Sequence, residues 1–74
     1  MKTNVMYRHF KGKLYYVHSI ARHSETGERV VVYQALYGDM NMYVRPYSMF
    51  NDVIDKDRED NITGQTFRFE LYKD

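Results

Sequence analysis

The sequence predicts an all-β domain in which five short strands curl into a small barrel. Three features carry the prediction: runs of β-branched and aromatic residues, brief breaks built on Gly, Asn or Pro, and no stretch with room for a crossover helix. Val5-Met6-Tyr7-Arg8-His9-Phe10 is rich in strand formers and closes on Lys11-Gly12, so a first strand near residues 5–10 leads into a hairpin. The run 14–22 is again β-type. Tyr15 and Val17 share one parity and Ile20 the other, and this switch predicts a bulge near Ser19 that bends the strand.

His23-Ser24-Glu25-Thr26-Gly27-Glu28 is polar, contains glycine and is too short for a helix, so it is expected to be a surface loop. Residues 29–37 form the longest β-type run, apolar on both parities except at Gln34, as befits a central strand. Gly38-Asp39-Met40-Asn41 supplies turn chemistry before a strand at 42–45, which Pro46 stops because it has no N–H to donate. Pro46 to Phe50 reads as one 3₁₀-like turn that tucks Met49 and Phe50 into the core. Residues 51–65 carry Asp52, Asp55, Asp57, Glu59 and Asp60 with few apolar residues, so a mobile acidic loop is expected, anchored by Val53 and Ile54. The last strand, 66–71, alternates cleanly with Phe67, Phe69 and Leu71 directed inward. The expected core is Val17, Val31, Tyr33, Val44, Phe50, Phe67 and Phe69. Five strands with one short 3₁₀ turn before the last fit an SH3-like barrel; an OB-like barrel would need more chain and a longer helix.

A chain of 74 residues is expected to form a single domain over 1–74, with the barrel at about 5–71. Folds this small need staples or large core side chains. Cysteine is absent, and the eight Tyr and four Phe are the available bulk. No apolar run is long enough to cross a bilayer as a helix and the first residues lack the pattern of a signal peptide, so a cytoplasmic protein is expected. Asn61-Ile62-Thr63 then reads as a chance match to a glycosylation acceptor. The net charge of +1 argues against nucleic-acid affinity driven by bulk charge. The charge is nonetheless uneven, with basic residues dominating up to residue 50 and acidic ones beyond it.

Four blocks have a familiar look: Tyr7-Arg8-His9-Phe10-Lys11-Gly12, Ala21-Arg22-His23-Ser24-Glu25-Thr26, Val32-Tyr33-Gln34-Ala35-Leu36-Tyr37-Gly38, and Val44-Arg45-Pro46 with Met49-Phe50. Together, over roughly residues 5–70, they resemble a family of short bacterial domains of unknown function. The resemblance implies an SH3-like barrel and brings no activity with it. The stretch between Phe50 and Phe67 is longer and more acidic here than the link associated with that family.

His9, His18 and His23 lie on separate segments without the close spacing of a zinc site, so no metal or other cofactor is expected. The run Asp55 to Asp60 mimics a calcium loop but has Asp60 where glycine is required and Thr66 where a bidentate glutamate is required. Ser24 beside His23 and Glu25 offers no ordered chain of nucleophile, base and orienting group, so the domain is expected to be non-catalytic. The remaining constellation is basic and aromatic: Arg8, His9, Arg22, His23 and Arg45, interleaved with Tyr7, Tyr33, Tyr37, Tyr43 and Tyr47. Guanidinium groups beside aromatic faces suit a peptide groove or stacked bases. The predicted binding residues are Arg8, His9, Arg22, His23, Arg45, Tyr7 and Tyr37, gathered at one rim of the barrel. The expected role is a binding or adaptor module for a protein or peptide partner. A nucleic-acid accessory protein and a structural or oligomeric subunit are the alternatives.

Overall fold

The computed structural model describes residues 1–72. Its five strands are β1 (Val5–His9), β2 (Leu14–Arg22), β3 (Arg29–Ala35), β4 (Met42–Pro46) and β5 (Phe69–Leu71), with a single helical turn, α1 (Tyr47–Phe50), between the last two. All neighbours are antiparallel, in the order β4-β3-β2-β1-β5. The first four strands form a meander and β5 returns to the free side of β1. The β2–β3 register shifts between Val17 and Ser19, where the parity switch placed the bulge. This shift lets the nine-residue β2 serve two sheet directions.

The sheet curls strongly. Phe69 on β5 touches Tyr33 on β3 at 5.5 Å between ring centroids, although β2 and β1 lie between those strands in the hydrogen-bonded order. The barrel stays open nonetheless, because β4 and β5 are not paired with each other. Its core is Tyr7, Val17, Val31, Tyr33, Phe50 and Phe69, all buried, with Val5, Tyr15, Tyr47 and Leu71 packed around them. Phe50 and Phe69 stack at 4.1 Å with ring planes 4° apart, and Tyr7 and Tyr33 meet Phe50 edge-on. Burying aromatic area at this density compensates for the absence of disulfides.

Three expected core residues lie elsewhere. Val44 is 65% exposed, because β4 pairs Tyr43 with Tyr33 and Arg45 with Val31 and so turns Val44 to the outer face. Phe67 is 45% exposed: the chain before Phe69 peels away from β1, and Phe67 bridges Val53 instead. Met49 is exposed on the outer side of α1, which commits only Phe50 to the core.

Residues 51–65 are a chain of specific turns, where a mobile loop was expected. Ile54 is buried and Val53 exposed, so only one of the two expected anchors holds the segment inside. The rest is held by amides. Asn61 is buried, donates from Nδ2 to the carbonyls of Asp55 (3.3 Å) and Gln65 (2.9 Å), and accepts the Gln65 N–H at Oδ1 (3.1 Å). Buried Gln65 in turn donates to the carbonyls of Arg8 and Phe67. These bonds satisfy main-chain groups that a loop of this composition could not otherwise bury.

Candidate functional site

The unclosed side of the barrel exposes an aromatic floor. β4 directs Tyr43 and Arg45 to the concave face through their register with Tyr33 and Val31, and β1 directs His9 there through its register with Phe69. Tyr15 from β2 sits between them, with ring centroids 5.5 Å from Tyr33, 5.5 Å from Tyr37 and 5.4 Å from Phe69. Tyr43 lies 5.8 Å from Tyr33. Tyr37 and Tyr43 are exposed while Tyr33 and Phe69 are buried, so the cluster grades from core to surface.

Polar groups rim this floor. The Tyr15 and Tyr37 hydroxyls share a hydrogen bond of 2.6 Å, and Arg45 Nε donates to the Tyr33 hydroxyl at 3.3 Å. The Arg45 guanidinium also reaches over Phe69 and the Lys13 ammonium over Tyr37 (5.1 Å). Burial, and then the bond from Tyr37, push the Tyr15 hydroxyl far above its ordinary range. It therefore acts as a neutral donor and acceptor. His9 is pushed down to about 4, first by burial and then by the nearby Arg68, Lys11 and Arg45, with Asp60 opposing. Its Nδ1 accepts the Lys11 main-chain N–H (3.1 Å), which leaves the proton of the neutral ring on Nε2.

Next to His9 a second basic group surrounds the buried Phe10 ring, with Lys11, Arg58 and Arg68 within 4.9–6.0 Å of its centroid. These cations are largely neutralised. Asp60 pairs with Arg58 and Lys11, and Asp52 with Arg68. Arg45 and Lys13 have no carboxylate partner among the described residues.

The seven residues singled out from the sequence therefore divide among several places rather than one rim. His9, Arg45 and Tyr37 converge on the open seam. Arg8 points to the outer face of β1, where Nε donates to Gln65 (3.1 Å) beside a cleft of about 240 Å³ bordered by Glu70 and Tyr72. Arg22 donates to the Gly27 carbonyl and the His23 ring accepts the amides of Glu25 and Thr26, so both organise the β2–β3 loop. Tyr7 is a core residue whose hydroxyl meets the main chain of Lys2. Tyr15, Phe69 and Lys13 were missed as seam residues. The alternation that makes Tyr15 and Phe69 inward-facing also makes them look like core alone. A shallow apolar groove of about 330 Å³ lies between β5 and α1, bordered by Tyr47, Phe67 and Leu71. Among the described residues no three His, Cys, Asp or Glu side chains converge as a metal-holding group, and no helix is long and apolar enough to cross a membrane.

Comparison with known proteins returns one family model, described as "Protein of unknown function (DUF1653)", which matches residues 5–71. Among solved structures, the chain is similar to a crystal structure of a protein belonging to DUF1653 from Bordetella bronchiseptica. The two are 33% identical, with a TM-score of 0.78, over 96% of this chain and 87% of that one. No curated protein matches.

Proposed function

Since the chain belongs to the DUF1653 family, whose description assigns no activity, we propose from the geometry alone that it is a non-catalytic binding module acting in the cytoplasm, with the open seam of Tyr15, Tyr37, Tyr43 and Arg45 as its recognition surface. The observation that carries this reading is an aromatic floor that reaches the surface beside an arginine with no carboxylate partner among the described residues. Tyrosines supply contact area at low conformational cost and a hydroxyl to orient the ligand, and a guanidinium that uses one donor internally keeps others for a partner. The SH3-like architecture read from the sequence fits such a role by analogy only. A chain without cysteine makes no demand on an oxidising compartment.

Lys13 over Tyr37 and Arg45 over Phe69 favour a second reading, single-stranded nucleic acid stacked on the tyrosines. Amide shift mapping with a short oligonucleotide and, separately, a peptide library tests both. Either ligand should move Tyr37, Tyr43 and Arg45 first. Steep loss of affinity with salt would select the nucleic acid, and a weak dependence the peptide. Shifts confined to residues 23–28 or to the Arg8 cleft would refute the seam as the site.

A further inference from the structure

The two edges of the sheet are not equivalent. Ahead of β5, residues 66–68 are covered, the Ile54 N–H donating to the Thr66 carbonyl and the Arg68 N–H to the Asp52 carbonyl, both at 2.7 Å, and β5 itself is only three residues long, a short edge that offers little to a further strand. β4 is paired on one side only, with β3. The Ala35 N–H donates to the Asn41 carbonyl (3.0 Å), and hydrogen-bonding pairs alternate along an antiparallel ladder. Tyr43 and Arg45 therefore direct their amides to β3, while Met42 and Val44 direct theirs outward. Among the described residues those outward amides have no partner. The edge is also apolar and open, with Met42, Tyr43 and Val44 exposed by 44–65%. It lacks lysines and bulges, and the devices of that kind it carries are Arg45, turned to the concave face, and Pro46 at its end.

We propose that β4 accepts an extended acidic peptide as an added antiparallel strand, whose backbone pairs with Met42 and Val44 and whose carboxylate side chain pairs with Arg45. The proposal rests on the reading of the open seam as a binding surface and names its occupant. An added strand sets alternate side chains over Tyr43 and Arg45, so an antiparallel partner would read acid, any residue, apolar residue. The acid would meet the Arg45 guanidinium, which has no carboxylate partner among the described residues, and the apolar residue would cover Tyr43. A second copy of this chain fits less well. Two-fold pairing of β4 would bring both Arg45 side chains to the same curved face, and Met42–Pro46 contains no carboxylate to offset them.

The probe is a blocked peptide, Thr-Val-Glu-Val-Phe-Val-Thr, titrated into the full-length ¹⁵N-labelled chain. The expected result is saturable shifts at Met42 to Arg45 with slowed amide exchange at Met42 and Val44. Replacing Glu by Gln in the peptide should weaken binding by about tenfold, and N-methylation of the two valines that follow Glu and Phe should weaken it at least as much. Val44→Pro removes an outward N–H that the fold does not use and should have the same effect with the melting transition retained. If that variant fails to fold, the N-methylated peptide decides alone. Equal binding by the N-methylated and parent peptides at the seam would overturn strand addition while leaving the seam a binding surface. Absence of binding by the parent peptide overturns the proposal, and binding of neither peptide library nor oligonucleotide overturns the seam as well. A concentration-dependent dimer abolished by Val44→Pro would assign the edge to a second copy instead.

Discussion

Replacing Phe69 by alanine should come close to unfolding this domain. The ring is buried, stacks on Phe50 at 4.1 Å, and meets Tyr15, Tyr33 and His9 edge-on at 5.4, 5.5 and 4.9 Å. Its removal forfeits the transfer of the ring and leaves a cavity between elements that cannot collapse without breaking the β1–β5 pairing, a combined cost of about 3–5 kcal/mol. A domain of this length has a total stability of roughly 4–11 kcal/mol. Each kcal/mol moves the melting temperature of such a chain by about 4–8 °C, so the loss should be on the order of 12–40 °C. Thermal unfolding followed by circular dichroism measures it, and Phe69→Leu, which keeps most of the volume, should recover more than half of the loss. Phe67→Ala is the internal control. Phe67 is two residues away and equally aromatic, but it is half-exposed, and its truncation should cost about 1 kcal/mol or less. A Phe69→Ala protein melting within about 5 °C of its parent, or a Phe67→Ala protein equally damaged, would refute the placement of the core.

The seam also has a pH signature. Unfolded His9 takes up its proton near 6.5 and folded His9 only near 4, so between those values the unfolded state holds more protons and stability rises with pH, reaching a plateau above about 6.5. The full difference corresponds to about 3 kcal/mol, which solvent screening at this half-buried ring reduces to about 1–2 kcal/mol. Urea titrations at several pH values should show His9→Gln losing that slope relative to the parent; parallel profiles would contradict it. Asn61→Ala strips three hydrogen bonds from a buried turn, so the urea midpoint should fall by the equivalent of about 1–3 kcal/mol, and an unchanged midpoint would mean that the turn contributes nothing to folding.

Much of this architecture is legible along the chain because its signals are local. The strands announce themselves as β-branched and aromatic runs, and the bulge between Val17 and Ser19 follows from two apolar parities that cannot share one face. Legibility ends where a choice depends on a neighbour. Met42-Tyr43-Val44-Arg45 is apolar at both parities, and hydrophobicity alone favours Val44 inside over Arg45. Pairing with β3 settles it the other way, and the open seam makes the outcome affordable: the Arg45 guanidinium reaches the Tyr33 hydroxyl without being sealed from water. Phe67 misleads in the same manner, since its alternation with Phe69 is perfect and only the departure of the chain toward Val53 turns it outward. Residues 51–65 look unable to fold because their order is carried by the amides of Asn61 and Gln65, which a hydrophobic pattern does not register.

The acidic segment also explains where the surface charge remains. Asp52 pairs with Arg68 while Asp60 is shared by Arg58 and Lys11, which offsets two of the three positive charges, and the main chain at Asp52 and Ile54 covers residues 66–68. This segment thus covers the approach to β5 and offsets most of the local positive charge on one side of the molecule. Nothing equivalent among the described residues covers β4, where the outward amides of Met42 and Val44 lie on the same strand as Arg45. Barrel closure by further strand pairing would have consumed those amides, and an acidic neighbour would have consumed the charge. Their survival together, beside a tyrosine floor that grades from buried Tyr33 to exposed Tyr43, gives β4 both a free backbone edge and a free charge to offer a partner.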